Sequence, residues 1–228
     1  MRLSVIIPCL DEAEVITGSL QALQPLRLRG AEVIVADGGS TDGTLDLARP
    51  LADQALSAPR GRAAQMNHGA AAASGDVLLF LHADCRLPDE ADVRLLRALA
   101  AARKEWGRFD VRLAGKHPML RVIAGAMNTR SRWTGIATGD QGLFVRRSTF
   151  EAAGRYPDIP LMEDVALCKR LKRFGRPLCL SERITASARR WEKHGIAATM
   201  LLMWRLRLAY SLGADPRRLA ARYAPHRP

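Results

Sequence analysis

The stretch VLLFLHADCRLPDE, Val77 to Glu90, decides the fold. Its first six residues, Val77 to His82, read as a buried strand, because the apolar run lacks the polar-apolar alternation of a half-exposed one. The strand ends at once on His82-Ala83-Asp84 and a turn containing Pro88. Taken alone, such an aspartate caps a turn and such a histidine is a satisfied core residue. At the carboxyl edge of a parallel sheet, where ligands of open α/β folds bind, the same pair instead suits a metal or phosphate site.

Outward from this strand the chain alternates in the same way. LSVIIP (Leu3 to Pro8) and EVIVAD (Glu32 to Asp37) are strands, Glu12 to Leu23 has helical spacing, and GSTDGT is a turn into a short helix. A weak strand at DQALSA and an Ala-rich helix from Gly61 to Ser74 come next. Strands alternating with helices specify β-α-β units, hence an α/β fold with a Rossmann-like, mostly parallel sheet flanked by helices. Three strand ends carry polar clusters: PCLDE, DGGSTD and HADCRLP. In the second half GRFDVRLAG and GLFVRR read as strands, the latter entered through GIATGDQG. EDVALCKRLKRFG reads as a helix with Leu167, Leu171 and Phe174 on one face and a stop at Gly175. No repeat or linker divides residues 1–228, so a single domain is expected.

At 228 residues and 48% hydrophobic content the chain can bury a sizeable core, which argues against disorder. Cys9, Cys85, Cys168 and Cys179 form no C-x-x-C pair and sit singly in or beside apolar segments. That pattern argues against a zinc ribbon and a secreted disulfide framework, and for a reducing, cytoplasmic setting. MRLSVIIPCLDE is too short an apolar run for a signal peptide, and no stretch approaches the ~18 apolar residues of a spanning helix. The net charge of +12 invites a nucleic-acid reading, but its placement does not support one. From Arg189 onward there are nine Lys/Arg, ending at Arg227, against two acidic residues, a surplus of seven within the last 40 residues and away from the carboxylate candidates. Such a segment suits anionic lipid headgroups or acidic polymers, or is a solvated basic surface.

Four clusters carry the chemistry. In DGGSTDGT, Asp37 to Thr44, small residues let backbone approach a ligand and Asp37 can accept hydrogen bonds from a base or ribose; Asp-Gly-Gly-Ser is also ordinary turn chemistry. In HADCRLP, Asp84 is an oxygen ligand of the kind a hard cation prefers, with His82 two residues earlier adding an imidazole. In PLMEDVALCKRL, Glu163 and Asp164 open a helix, where acidic residues are favoured by the exposed N–H groups. That environment lowers a carboxylate's pKa, so a general base here needs desolvation in a cleft. In SARRWEKHG, two arginines and a tryptophan can grip a phosphate and stack on a sugar or base.

The order of these clusters resembles the family 2 glycosyltransferases with the GT-A fold. SVIIPCLDEAE looks like the P-x-x-N-E opening and VADGGSTDGT like the D-D-G-S-T-D nucleoside turn. GRAAQMNHGAAAASGDVLLFLHAD looks like the helix and strand leading to D-x-D, PLMEDVALCKRLKRFG like the E-D segment, and SARRW like Q-x-x-R-W. LHADCRLP, GDQGLFVRR and RRWEKHG are most similar to the small bacterial transferases described as radical-SAM/selenodomain-associated transferase 2.

The resemblance implies a nucleotide-binding half at 1–100, an acceptor and catalytic half at 101–194 and a basic, helical segment at 195–228. It places Pro8, Glu12 and Asp37 in the nucleoside pocket, with Arg60, Arg62 and Asn67 near the base or diphosphate. Asp84, with His82, would bind a divalent cation, Mn²⁺ or Mg²⁺. Asp164 would be the base with Glu163 beside it, and Arg190, Trp191, Asp140 and Gln141 would serve the diphosphate and acceptor. Four positions depart from the family pattern: Asp11 for Asn, Gly38 for the second Asp of the nucleoside turn, His82 for the first Asp of D-x-D, and Ser187 for Gln.

The reaction implied is an inverting, metal-dependent transfer from a nucleotide diphosphate sugar to an acceptor hydroxyl. Two other readings stand beside it. A nucleotidyltransferase would share the sheet and acidic ligands but usually carries a Gly-rich, basic signature that PCLDEAE lacks. A catalytically silent binding module would act through its basic C-terminus; Asp84 and Asp164 argue against it, while His82 and Gly38 leave it open. GIAATMLLMWRLRLAYSLG, Gly195 to Gly213, is either a core or homodimer-interface helix, the favoured reading, or an interfacial helix bringing the enzyme to a lipid-linked acceptor at the inner face of the membrane.

Overall fold

The computed structural model describes residues 1–223; Arg227, counted in the basic segment above, lies outside them. The first half runs β1 (Leu3–Cys9), α1 (Ala13–Ala22), α2 (Gln24–Leu28), β2 (Glu32–Asp37), α3 (Thr44–Ala48), β3 (Gln54–Ser57), α4 (Arg62–Ala72), β4 (Val77–Phe80), β5 (Cys85–Arg86) and α5 (Ala91–Ala101). The second half runs β6 (Trp106–Leu113), α6 (Pro118–Thr134), β7 (Leu143–Arg146), α7 (Arg147–Ala152), α8 (Glu163–Leu171), β8 (Leu178–Ala186), α9 (Arg189–His194), α10 (Ile196–Ser211) and α11 (Pro216–Tyr223). Short 3-10 turns at Gly139–Gln141 and Lys172–Phe174 precede β7 and β8.

The strands form one sheet in the order β3-β2-β1-β4-β7-β6-β8-β5. The expected parallel pairings join β3, β2, β1 and β4, and a further parallel pair joins β6 to β8. The second half adds antiparallel contacts of β7 with β4 and β6, and of β5 with β8. Two apolar layers cover the sheet because β1, β2 and β4 are buried along their whole length. Alternate residues feed opposite faces: Val5, Ile7, Val33 and Leu79 meet α1 residues Ile16 and Leu20 on one side, while Ile6, Ile34 and Leu78 meet α4 residues Met66 and Ala70 on the other. A third cluster joins Met162 and Val165 to Leu206 of α10 and to Leu219 and Tyr223 of α11.

Two local features shape the carboxyl edge of the sheet and its support. β4 stops at Phe80, earlier than the pattern suggested, yet Leu81 still donates its N–H to Ile6 O at 3.0 Å, so the chain stays extended to the brink of His82. Beneath the second half, Asn128 of α6 exchanges two hydrogen bonds with Val111 of β6 (2.9 and 3.0 Å), and the Asp110 carboxylate bridges Arg108, which is fully buried, and Arg132. These contacts satisfy the Val111 backbone groups and give the buried Arg108 charge a carboxylate partner, although its Nε has none among the described residues.

Gly107 shows how tightly the second half is built. A methyl group there would overlap the Leu178 carbonyl oxygen and the Phe144 ring. Gly107→Ala should therefore cost about 1–3 kcal/mol through overpacking, read as a lower urea midpoint; an unchanged midpoint would show that β8 can move away freely.

Candidate active site

The sheet's carboxyl edge collects side chains from five segments. β4 ends in His82 and Asp84, and because β7 runs antiparallel beside it with Phe80 opposite Leu143, the turn before β7 lands on the same edge. His82 Nδ1 lies 3.3 Å from Asp140 Oδ1. The neighbouring Gly139 packs so closely on the imidazole that a Cβ there would overlap His82 Nε2. His82, Asp140 and the buried Cys85 can bring one ligand atom each within 4.8 Å of one another, the one such group among the described residues. Burial works to raise the Asp140 pKa, but the hydrogen bond and charge of His82, then Arg190 and Arg62, outweigh it and hold the carboxyl at about 2.

The start of α8 lines the same cavity. Met162 adopts a left-handed φ of 69°, and Glu163 and Asp164 come next at the exposed N–H groups of the helix. Asp164 accepts from Gly139 N at 3.1 Å and from Val165 N at 2.7 Å, so the base candidate is tied to the turn that carries Asp140. Burial raises the Asp164 pKa most, and the adjacent Glu163 charge adds to it; the backbone donors and Arg62 oppose them, leaving it at about 6. Glu163 is buried 3.8 Å from Arg62. A cavity of about 110 Å³ is lined by His82, Asp140, Glu163 and Asp164 together with Arg62, Arg190, Met203, Arg207 and Tyr223.

The β1 and β2 ends form the adjoining surface, and their loops are laced together. Asp11 holds a left-handed φ of 53°, which Asn and Asp tolerate better than other non-glycine residues, so the Asn-to-Asp departure preserves this turn. Its N–H donates to Ser40 Oγ and its Oδ1 accepts from Thr41 N, while Glu12 N and Ala13 N donate to Thr44 Oγ1 and Asp42 Oδ2. Asp37 is buried and accepts from Gly39 N, Ser40 N and Ser40 Oγ, shaping its own turn. The second departure also has a physical account: a Cβ on Gly38 would lie 2.6 Å from Gln65 Nε2, which donates instead to the carbonyls of Cys9 and Ala36.

The remaining expectations divide. Pro8 pairs with Ala36 inside the sheet, and Arg60 is exposed just before α4. Asn67 turns away from the cavity and exchanges hydrogen bonds with the Tyr156 backbone at 2.8 and 3.0 Å. Gln141 does not face the cavity either: fully buried, it accepts from Thr138 N and donates to Asn128 Oδ1 and Ser131 Oγ, which anchors the turn holding Asp140. Arg190 reaches the cavity and lies 5.0 Å from the Tyr223 ring centroid, while Trp191 packs half-buried on the larger core cluster. Asp84 points toward Arg189 (3.7 Å), which also binds Glu12 at 3.1 Å and thereby links β1 to β4. The sequence pattern singles out Arg190 and misses this role of its neighbour; adjacent arginines on one short helix give no signal for which faces which wall.

Residues 4–152 match the model of glycosyl transferase family 2, and the chain belongs to that family. Among curated relatives, the succinoglycan biosynthesis protein ExoA of Rhizobium meliloti is 30% identical over 78% of this chain and 60% of its own length. The probable glycosyltransferase YdaM of Bacillus subtilis is 28% identical over 93% of this chain and 55% of its own. The chain thus spans little more than half the length of these relatives. Among solved structures, S. aureus TarS in complex with UDP superposes with a TM-score of 0.67 at 19% identity, covering 82% of this chain and 60% of TarS. The mannosyltransferase PcManGT from Pyrobaculum calidifontis, in complex with GDP-Man and Mn²⁺, gives 0.65 at 22% identity over 97% and 69%. These likenesses establish the GT-A fold.

The Asp164 environment has a consequence for stability. A carboxyl whose folded pKa lies above its unfolded value binds its proton more tightly in the native state, so folding free energy is lost as pH rises from the ordinary carboxylate range through about 6. Asp164→Asn should match wild type in thermal stability near pH 4 and exceed it at pH 8; a pH-independent difference between the two would contradict this environment.

Proposed function

We propose that this chain is an inverting, cation-assisted glycosyltransferase that moves a sugar from a nucleoside diphosphate donor to an acceptor hydroxyl. One observation carries the reading: Asp164, a carboxyl raised to about 6 by burial, lines one cavity together with the imidazole and carboxylate of His82 and Asp140. A base poised near neutrality can take a proton and still release it to solvent. The same cavity offers groups suited to a leaving diphosphate.

In this reading the nucleoside lies over the laced ends of β1 and β2, where Pro8, Glu12 and Asp37 stand, with Arg60 at the entrance. The ligands bound by TarS and PcManGT, UDP and GDP-Man with Mn²⁺, support a nucleoside diphosphate sugar and leave the base open. His82 and Asp140 would hold a divalent cation, with Asp84 joining them only if it leaves Arg189, and the cation's chemistry would be to neutralise charge on the diphosphate. An imidazole among carboxylates tilts such a site toward Mn²⁺ over Mg²⁺.

Asp164 accepts the acceptor proton as the hydroxyl oxygen attacks the anomeric carbon from the face opposite the leaving group. The new C–O bond forms as the bond to the diphosphate breaks, which inverts the anomeric centre in one step. Arg190, whose Nε has no hydrogen-bond partner among the described residues, donates to the departing phosphate oxygens, and Arg62 holds Glu163 so that a second carboxylate stays beside the base without entering the reaction.

Thermal-shift titration with UDP, GDP and their sugars, each with and without Mn²⁺ or Mg²⁺, tests the donor class: one diphosphate should stabilise the protein, and more so with a cation present. No shift with any combination would reject the reading. Asp140→Ala should abolish the cation-dependent part of the shift. Asp164→Asn should lower kcat by about 10²–10⁴-fold with the nucleotide shift intact, and wild-type kcat should rise as pH passes about 6; turnover unaffected by that substitution would remove Asp164 from the mechanism.

A further inference from the structure

The helix that closes the cavity has two faces of opposite character. Inward, α10 packs Leu202, Met203, Leu206, Ala209 and Tyr210 into the cluster with Met162, Val165 and Leu219, and Arg207 joins Met203 and Leu206 in lining the cavity. Outward, Leu201, Trp204, Leu208 and Leu212 are 47, 65, 62 and 79% exposed. At 3.6 residues per turn these four positions fall within an arc of about 80°. They form a continuous apolar stripe along the outer side of the helix.

The charge of this C-terminal part points to what the stripe meets. Arg205, on the same face, is exposed, as are Arg217, Arg218 and Arg222 of α11, which packs on the inward side of α10, and Asp215 is the one acidic residue between Ile196 and Tyr223. A second copy of this chain brought against the stripe would bring together two copies of this basic part. An anionic bilayer instead accepts leucines and a tryptophan at its headgroup boundary and attracts each nearby arginine.

We propose that the outer face of α10 docks on an anionic lipid surface. Docking itself is independent of the transfer reaction; that it presents the cavity wall of Met203, Leu206 and Arg207 to an acceptor carried by the same lipid surface rests on the glycosyltransferase reading. One helix then serves as both membrane contact and wall of the acceptor side.

Vesicle flotation of the full chain, without donor or cation, tests the docking. Vesicles of phosphatidylcholine with a phosphatidylglycerol fraction should float the protein, pure phosphatidylcholine should not, and raising the salt should weaken the association. Trp204→Glu combined with Leu208→Glu should reduce partitioning by about tenfold or more, because buried methylenes contribute strongly to interfacial binding. As a second variant, Arg217→Gln with Arg218→Gln and Arg222→Gln should lose the preference for the anionic lipid. Far-ultraviolet circular dichroism and the nucleotide thermal shift of both variants report folding separately from docking. Equal flotation with both lipids, no flotation, or wild-type partitioning by the Trp204/Leu208 variant would overturn the proposal. So would a concentration-dependent dimer in sedimentation that the same variant dissolves, which would give the face to a second copy.

Discussion

The antiparallel pairing of β7 with β4 is the constraint on which the site depends. In a purely parallel sheet every carboxyl edge receives loops leaving strands, and no strand entrance reaches it. Reversing β7 brings its amino end to the carboxyl end of β4, with Leu143 opposite Phe80, so the Gly139–Gln141 turn faces His82. The geometry of the candidate site stems from that meeting: the His82–Asp140 pair, the close seat of Gly139 on the imidazole, and the Gly139 N–H that holds Asp164. Gln141 makes the arrangement stiff by tying the turn to Ser131 and Asn128, and through Asn128 to the β6 backbone.

Around the cavity several of the charges stand in opposed pairs, and Asp164 does not. Arg189 stands between Glu12 and Asp84, Arg62 beside Glu163, and His82 beside Asp140. Each pairing offsets part of the cost of removing a charge from water. Asp164, among the described residues, has no cation within ion-pair distance; it has two backbone N–H donors, a like-charged neighbour and burial. The uneven distribution separates a carboxyl held near 2 from one lifted to about 6 in the same small cavity. Such separation assigns different roles to chemically identical groups.

The first half of the fold was legible because its signals are local. Uninterrupted apolar runs gave β1, β2 and β4, and their alternation with helical spacing gave the parallel pairings. The polar cluster at the end of β4 likewise pointed to His82 and Asp84, whereas Asp164, at a helix start, and Arg190 were singled out through the family resemblance. What sequence could not show was direction and partnership. Asn67 and Gln141 are amides whose type suits a ligand, yet their atoms are taken up by the Tyr156 backbone and by α6. Asp37 stands where expected, with its oxygens engaged by its own turn. The alternative partners become visible only once segments up to 89 positions apart are brought together. The β6–β8 and β5–β8 pairings escaped for the same reason: β8 is a half-buried strand without a continuous apolar run, and its partners come from distant parts of the chain.

The cavity's outer wall is drawn from Met203, Leu206, Arg207 and Tyr223, whereas the sheet is complete at Ala186. During synthesis the whole sheet and both carboxylate-bearing turns can therefore emerge from the ribosome before the cavity has the side drawn from α10 and α11. Assembly of the core and assembly of the working compartment are thus separate events in the life of a nascent chain. A polypeptide cut short by a few dozen residues would retain the architecture and lose the enclosure.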